Sequence, residues 1–354
     1  MAEKGCEINI YSIPQNGYDK RKKDLYKSNY SINDRTLKSK LQYAEKVYSR
    51  IDLHDNINLK IFPHTYVWNQ QEFSRGSHLY TLHNKSILAE FDDSVKCISS
   101  SCNFALGDPP HSDNFIVIEG KSNTEKMFRD YFSILDQVSF SYKSYLKYIE
   151  THYDFEYVVK PVNLEDIYIT DYFTAPFIKY NGIGSNRYIQ QKIIDFIQTA
   201  KKRIYLCSQH LSDISPFDNK ADSIIEKLKE INTDVEIKVL KQTRPHHQAQ
   251  GWRTKKTEEI FKGCPNILQR SWYPIIHDKF IIVDEKLLVT TGNFTPTQFA
   301  WQENRKMRYE MNNKIHSIVN TFSEVNSYHF FEDSEVLNKY LIHFDSLWEK
   351  GEII

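Results

Sequence analysis

The sequence predicts an α/β protein built from two similar halves, each a mixed β-sheet flanked by helices. Short segments rich in β-branched residues alternate with segments of helical periodicity, a pattern that favours sheets covered by helices. A polar motif at residue 277 also has a counterpart 194 residues earlier, at residue 83. The 354 residues suffice for two domains. We therefore predict one repeat at residues 1–155 and a second at residues 156–354.

The clearer motif lies in the second half, where His277 and Lys279 precede Asp284 on a predicted strand. Side chains two residues apart lie on the same face of a strand, so the imidazole and the ammonium group point to one place. A turn after Asp284 and a second short strand lead to Asn293. In a chain with 13 histidines a His-x-Lys triplet occurs by chance, and the ordered set carries the information.

The first half repeats these residues in the same order. His83 and Lys85 have the spacing of the second pair, and Glu90 follows His83 by seven residues, as Asp284 follows His277. Two further pairs match, Asn103 with Asn293 and Asp113 with Glu303. A chance triplet would not bring along these partners, so the sequence contains a two-fold internal repeat of domain size.

Predicted elements surround both motifs. Strands are predicted at Glu7–Ser12, Ile57–Phe62, Arg203–Ser208 and Val235–Leu240, and helices at Thr36–Tyr48, Arg187–Ala200 and Asp222–Ile231. Further helical patterns close the two halves at Thr124–Tyr148 and Lys314–Tyr328. We interpret Thr151–Asn186 as the linker between the halves.

Composition and charge limit the function classes. The formal net charge is zero, so a preference for nucleic acid or membranes must come from local patches. The five cysteines are dispersed without metal-ligand spacing, which indicates reduced thiols. The N-terminal residues lack an apolar core of signal-peptide length, and no run approaches 18 apolar residues. We therefore expect a cytoplasmic protein without a membrane span.

The ordered residues resemble the HKD signature of the phospholipase D superfamily, which reads His-x-Lys, four residues, Asp and then a Gly/Ser-Asn turn. From Asp284 to Asn293 the spacing is one residue shorter than the usual form. The resemblance covers nearly the whole chain and is stronger in the second half. It implies that two repeats pack with pseudo-two-fold symmetry and that their motifs meet at one site.

The resemblance also implies a role for each motif residue. One histidine attacks phosphorus to form a phosphohistidine, and the other protonates the leaving oxygen. The usual family order makes His83 the nucleophile and His277 the acid. Four residues would hold the nonbridging oxygens, Lys85, Lys279, Asn103 and Asn293. Two carboxylates, Asp113 and Glu303, would orient the histidines. Glu90 and Asp284 are expected to be structural.

We expect neither a metal nor another cofactor. In many nucleases clustered carboxylates hold Mg²⁺, which activates water and neutralises the phosphate. The acids of these motifs are shared between two repeats, and each is better placed to orient a strand or an imidazole. Positive charge comes instead from Lys85 and Lys279.

A basic segment at residues 241–270 precedes the second motif. We predict that Arg253, Lys255 and Lys256 contact substrate phosphates and that Trp252 stacks on a base. The alternative is a solvated helix face. The run Lys20–Lys23 is more typical of a charged loop.

Three functions stay open at this point. The first is a nuclease, similar to the nuclease and tyrosyl-DNA phosphodiesterase branches, with DNA or RNA as substrate. The second is a phospholipase or phosphatidyltransferase. The third is a nucleic-acid-binding module without catalysis, in which Glu90, Ser100 and Ser101 mark a decayed first motif. A monomer would suffice for one complete site, and a homo-oligomer is compatible with it.

Overall fold

The structure is a computed structural model. It describes residues 2–12, 46–51, 53–62, 77–103, 112–144, 162–167, 169–175, 177–213, 223–242, 251–272, 275–299, 305–311 and 314–354. The chain forms two compact units. Unit 1 gathers Met1–Leu82, Asp130–Lys160 and Trp301–Phe322, and unit 2 gathers His83–Arg129, Pro161–Ala300 and Ser323–Ile354. Among the described residues, no helix combines the length and apolar character that crossing a membrane requires.

Unit 1 contains a small sheet in the order β1-β2-β7. Its strands are β1 (Ile8–Ser12), β2 (Ile57–Ile61), which is parallel to β1, and β7 (Phe140–Ser141), which is antiparallel to β2. Buried side chains form its core, namely Tyr48, Leu59, Ile61 and Tyr142. The unit also contains the 3-10 helix Ala2–Lys4, strand β3 (Ser77–Leu82) and a hairpin of β17 (Arg305–Met311) with the first part of β18 (Lys314–Phe331).

Unit 2 is organised around a larger sheet in the order β9-β18-β16-β15-β12-β13-β14-β19. Its strands are β9 (Asp171–Thr174), the last part of β18, β12 (Arg203–Ser208), β13 (Glu236–Gln242), β14 (Ile267–Trp272), β15 (Lys279–Val283), β16 (Lys286–Thr290) and β19 (Glu352–Ile353). The central strands β12, β13 and β14 are parallel, whereas β15 and β16 run antiparallel to their neighbours. Both faces of β15 are buried, as expected for an inner strand.

Two smaller sheets and six helices complete the described part of unit 2, one helix continuing into unit 1. The first sheet consists of β4 (Ser86–Glu90), β5 (Val95–Ser100) and β6 (Phe115–Glu119). The second consists of β8 (Val162–Leu164), β10 (Ile178–Tyr180) and β11 (Ile183–Gly184). The helices are α1 (Ser122–Gln137), α2 (Ser185–Gln198), α3 (Ile224–Lys229), α4 (Gly251–Lys262), α5 (Pro296–Phe299) and α6 (Ser334–Lys350).

Helix α6 shows how the sequence fixes the packing of the main sheet. Asp333 caps its first turn, because the carboxylate accepts hydrogen bonds from the backbone N–H groups of Glu335 and Val336. Buried residues recur at helical spacing, and two of them pack against rings of the sheet, Phe344 by stacking and Tyr340 edge-to-face. Phe344 lies 4.9 Å from Tyr205, and Tyr340 lies 5.0 Å from Phe280, between ring centroids. This contact covers the rear face of strand β15.

The structure confirms the α/β class and most of the predicted elements in the second half. Strand Arg203–Ser208 has its predicted bounds, and helix α2 begins and ends two residues before its prediction. Of the predicted helix Thr36–Tyr48, residues 46–48 are helical, and the rest lies outside the described residues, as does Lys20–Lys23. The predicted boundary after residue 155 stays a prediction, because repetition along a sequence and compactness in space are different criteria.

Two predictions of secondary structure were wrong. Lys314–Tyr328 forms a strand, not a helix. Its apolar residues fall at helical spacing, but residues 328–331 supply the hydrogen-bonding partner of β16, and that tertiary pairing overrides the local pattern. The predicted linker Thr151–Asn186 contains four strands, and β9 among them belongs to the main sheet.

Candidate active site

The described residues of both motifs lie in unit 2. His83 follows β3, and its backbone N–H donates to the carbonyl oxygen of Val325 over 3.0 Å. Its side-chain Nδ1 lies 2.9 Å from Oδ1 of Asn326. An amide oxygen can only accept, so Nδ1 carries the proton and Nε2 keeps its lone pair in the neutral ring. Lys85 turns back to donate from Nζ to the carbonyl oxygen of His83 over 2.5 Å.

The second motif repeats these contacts. The backbone N–H of His277 donates to the carbonyl oxygen of Ser112 over 2.9 Å. Its Nδ1 lies 2.7 Å from a carboxylate oxygen of Asp113, where His83 has an amide. Lys279 donates from Nζ to the carbonyl oxygen of His277 over 2.6 Å. Its backbone N–H donates to Oδ1 of Asn114 over 2.6 Å. This hydrogen bond joins strand β15 to the segment that carries Asp113.

Hydroxyl contacts show which residue corresponds to Asp113. Ser101 donates to the carboxylate of Asp113 over 2.7 Å and accepts from the backbone N–H of Asn114 over 2.9 Å. Thr291 likewise donates to Oδ1 of Asn326 over 3.2 Å and accepts from the backbone N–H of Ser327 over 3.0 Å. Asn326 is therefore the counterpart of Asp113.

Of the two residues that contact the histidine rings, Asp113 was predicted from the sequence and Asn326 was not. Glu303, which the sequence spacing matches with Asp113, lies outside the described residues. Asn326 was not predicted, because it follows Asn293 by 33 residues, whereas Asp113 follows Asn103 by ten. The hairpin of β17 and β18 lies within the longer interval.

The turns that carry Asn103 and Asn293 are also alike. In each, the hydroxyl three residues before the asparagine accepts from a backbone N–H group, Ser100 from Cys102 over 2.9 Å and Thr290 from Gly292 over 3.0 Å. Asn293 is buried, and its side-chain oxygen accepts from the backbone N–H of His210 over 3.3 Å. Asn103 is exposed. A side chain at Gly292 would collide with Asn326, since a Cβ there would lie 2.8 Å from its Cγ.

The two motifs lie close enough for their charged groups to interact. Burial lowers the pKa of His83 well below its ordinary value, and Lys85, Lys279 and His277 add to the effect. Burial also lowers the pKa of His277, while the hydrogen bond to Asp113 acts in the opposite direction. The His83 side chain is 22% exposed and that of His277 10%, so neither side chain is completely enclosed.

The two lysines share this environment. Burial, followed by the charge of Lys279, lowers the pKa of Lys85 to about 7. Burial lowers the pKa of Lys279 to about 8, although Asp113, Asp278 and Glu324 favour its charged form. Two buried ammonium groups repel each other and lose solvation, and both effects favour the neutral form. A bound anion would reverse them.

A further acidic residue, which the sequence did not reveal, lies behind His83. The carboxylate of Glu324 accepts from the side-chain amides of Gln298 and, over 3.4 Å, of Asn326. Its oxygen lies 3.5 Å from Nδ1 of His83, beyond the 2.9 Å contact of Asn326. Burial raises the pKa of Glu324, whereas Gln298 and Lys85 lower it.

Glu90 and Asp284 are structural, as the period of two predicts. Arg129 on α1 donates to Glu90 over 2.7 Å at the protein surface. Asp284 accepts three backbone hydrogen bonds, from Lys201, Lys202 and Arg203, over 2.8–2.9 Å. It has a φ of 51°, a left-handed conformation that Asp tolerates in tight turns. Neither carboxylate therefore acts at the site.

The predicted substrate-binding residues lie on α4. Lys255 and Lys256 are exposed, and Lys255 is 3.9 Å from Glu259 on the next turn. For Trp252 and Arg253 the structure describes the helical backbone alone. Strand β13, which precedes α4, reaches the site through Gln242, whose side chain accepts from the backbone N–H of Ile276 over 2.8 Å. Substrate binding by α4 stays a prediction.

Comparisons with known proteins find one matching family model and several solved structures of similar fold. Residues 193–348 match the family model described as cardiolipin synthase, PLD-like domain. No curated protein matches the chain. A solved phosphatidylserine synthase of Haemophilus influenzae Rd KW20 is similar with a TM-score of 0.53 and 12% identity, over 100% of this chain and 83% of that one. This likeness shows the fold alone.

Two shorter solved structures resemble part of the chain. Nuc, a phospholipase D family member from Salmonella typhimurium, has 20% identity and a TM-score of 0.36, over 52% of this chain and 97% of its own. NucT from Helicobacter pylori has 12% identity and a TM-score of 0.33, over 52% of this chain and 98% of its own.

Proposed function

Since the chain belongs to the phospholipase D superfamily, we propose that it is a metal-independent phosphodiesterase that cleaves nucleic acid through a covalent phosphohistidine. One observation carries the proposal. Two His-Lys pairs with matching backbone contacts surround one site, and their side chains interact electrostatically.

In the first step, His83 is the nucleophile. Asn326 holds its Nδ1–H, and its lowered pKa keeps the ring neutral, so the lone pair of Nε2 can attack phosphorus. A P–N bond forms as the bond from phosphorus to the leaving oxygen breaks. The leaving oxygen takes the proton from Nε2 of His277. Asp113 stabilises the protonated form of that ring through Nδ1.

In the second step, His277 reverses its role. Its neutral Nε2 removes a proton from water, the water oxygen attacks phosphorus, and the P–N bond breaks. The products are a phosphomonoester and neutral His83, and the proton on His277 restores the starting state. The same two histidines thus serve both halves of the reaction.

Lys85 and Lys279 supply the positive charge that the transferring group needs. The nonbridging oxygens carry negative charge that their ammonium groups and the amide of Asn293 would offset. Both lysines are fixed by hydrogen bonds to the histidine carbonyls, so little reorganisation is required when substrate binds. Electrostatic stabilisation by lysines replaces the role that Mg²⁺ has in other nucleases.

Helix α4 is the reason for proposing a nucleic acid as the substrate. Its exposed Lys255 and Lys256 follow Trp252 and Arg253, and this combination suits a phosphate backbone with unstacked bases. A lipid phosphodiester is the second candidate, which the matched family model and the phosphatidylserine synthase favour by their names. Against a decayed first motif, both His83 and Lys85 keep the contacts of their counterparts.

One experiment tests these alternatives together. Purified protein is incubated with single-stranded DNA, double-stranded DNA, RNA and phospholipid vesicles, each in excess EDTA, beside the His277→Ala variant. We expect cleavage of a polynucleotide by the parent protein alone. Cleavage of the lipid alone would show that the protein is a phospholipase or phosphatidyltransferase and not a nuclease. A strict Mg²⁺ requirement would refute the mechanism.

A further inference from the structure

The residue between histidine and lysine differs in the two motifs. It is Asn84 in the first and Asp278 in the second. The side-chain oxygen of Asn84 accepts from Ser86 over 2.8 Å and from Thr291 over 3.5 Å. Asp278 has no exposed surface and lies on the face of the strand opposite to Lys279. The second motif therefore carries a buried negative charge that the first lacks.

Asp278 lies beneath helix α6. Nε2 of His343 lies 3.1 Å from its Oδ1, and His343 is 38% exposed. Tyr340 and Cys207 also face Asp278, which contributes with burial to the raised pKa of each. Among the described residues, the second oxygen of Asp278 has no hydrogen-bond partner. One imidazole at the surface therefore provides its principal polar contact.

Burial of a carboxylate with so few polar contacts costs free energy unless a nearby positive charge compensates for it. The adjacent residue along the chain is Lys279, a buried ammonium group. We propose that Asp278 is a positioning residue that keeps Lys279 charged during the reaction, and that His343 holds Asp278 in place from helix α6. This inference rests on the proposed phosphodiesterase function for its effect on rate, but not for its effect on Lys279.

The charged surroundings of Lys279 support the assignment. Asp113, Asp278 and Glu324 favour the charged form of Lys279, and Lys85 interacts with it as a like charge. Asn84, the residue next to Lys85 along the chain, is uncharged, so Lys85 lacks a counterpart of Asp278. On helix α6, Lys339 lies one turn before His343 and is paired with Glu335 over 2.7 Å.

Exchange of the two intervening residues tests the proposal. Asp278→Asn should lower the midpoint of Lys279 titration by about one pH unit, and Asn84→Asp should raise that of Lys85 by a similar amount. Both midpoints are measured without substrate, by NMR of ¹³Cε-labelled lysine, with signals identified by their loss in Lys279→Arg and Lys85→Arg. The readout is therefore independent of the proposed function.

Two further variants separate charge from packing. His343→Gln keeps a donor for Asp278 and should leave the Lys279 midpoint unchanged, whereas His343→Leu should lower it, because the Asp278 side chain then loses the contact that holds it in place. The alkaline limit of kcat/KM should move with the midpoint in each variant. Unchanged lysine midpoints in folded Asp278→Asn, or in Asn84→Asp alone if the former does not fold, would overturn the proposal. Shifted midpoints without any phosphodiesterase activity would refute the proposed function alone.

Discussion

The two histidines of the site have equivalent backbone contacts and different side-chain partners. Nδ1 of His83 meets the amide oxygen of Asn326 at 2.9 Å, and Nδ1 of His277 meets the carboxylate of Asp113 at 2.7 Å. An amide fixes the neutral tautomer without stabilising a positive ring, whereas a carboxylate stabilises the imidazolium. The two rings are similarly placed, and we propose that the difference between an amide and a carboxylate partner would give them different tasks.

This difference suits a two-step displacement. The attacking ring must be neutral when substrate arrives, and the ring that protonates the leaving oxygen must be able to hold a proton. A site with two identical partners would give both rings the same proton affinity. Four sets of experiments test this proposed difference in roles. They replace either histidine, exchange the two partner side chains, titrate the lysines, or remove the positive charges of α4.

Removal of either ring should have the largest effect. His83→Ala and His277→Ala should each lower kcat by roughly ten-thousand-fold on a polynucleotide, because the two act as one catalytic set. The two variants should differ on a diester with a p-nitrophenolate leaving group, which leaves without an acid. His277→Ala should then release one equivalent of nitrophenolate and keep an acid-labile phosphoryl group on His83. Peptide mapping after an acid-free quench locates it.

A phosphoryl group found on His277 in the parent protein would exchange the two roles. Near-normal turnover by His83→Ala would instead show that the first motif does not contribute to catalysis. Thermal unfolding of both variants serves as the control for folding.

Exchange of the partners should have the next largest effect. Asp113→Asn removes the charge that stabilises protonated His277, so the polynucleotide rate should fall by roughly 10²–10³-fold, while the nitrophenyl ester is affected less. Asn326→Asp should raise the pKa of His83, and kcat/KM should then decline at a higher pH on the acid side. Equal losses on both substrates in Asp113→Asn would indicate displaced geometry and would argue against an acid role for His277.

The sequence was most informative where a residue's neighbours along the chain determine its contacts. His277, Lys279 and Asp284 lie on one short strand and turn, so their spacing alone predicts that the first two share a face and that the third does not. Asn326 depends on pairing between distant segments. The hairpin of β17 with the first part of β18 lies between Asn293 and Asn326. The residue spacing of the first motif therefore does not predict Asn326.

The wrong assignment of Lys314–Tyr328 has the same cause. Its apolar residues fit a helix, but its conformation is set by β16 and β9, which pair with its last residues. Because Asn326 and Glu324 lie on this strand, the error in secondary structure also concealed two residues of the site. The charge of Asp278 was visible in the sequence, but its burial beneath α6 was not.

The lysines provide a test that depends on pH. Lys85 has a pKa of about 7 and Lys279 of about 8, and both must be charged to stabilise the transferring group. Because lowered pKa values favour loss of the proton, kcat/KM should fall as the pH rises above about 7. A bound phosphate favours the charged forms, so binding near pH 7.5 should take up protons.

Calorimetry of sulfate binding in two buffers of different ionisation enthalpy measures this uptake, because sulfate replaces the phosphate group and does not itself titrate near pH 7.5. Lys85→Arg should abolish most of it, because arginine stays charged, and Lys279→Arg should remove less. Proton release on binding, or equal uptake in both variants, would contradict the assigned order of the two lysines.

The smallest effect is expected from substitutions on helix α4, which precedes the second motif. They test the surface around the two histidines and not the histidines themselves. If this helix binds the phosphate backbone, replacement of Arg253, Lys255 and Lys256 by Gln should weaken polynucleotide binding by about tenfold near physiological salt and reduce the dependence of affinity on salt concentration. Turnover of the small nitrophenyl diester should hardly change, since that substrate does not reach beyond the two histidines. The matched control also removes three exposed positive charges, by replacement of Lys201, Lys339 and Lys350. Of these, Lys339 is as exposed as Lys255, at 70% each. A similar loss of affinity in the control would show that binding follows total charge, and a loss on both substrates in the α4 variant would show that the helix supports the site and does not hold the polynucleotide.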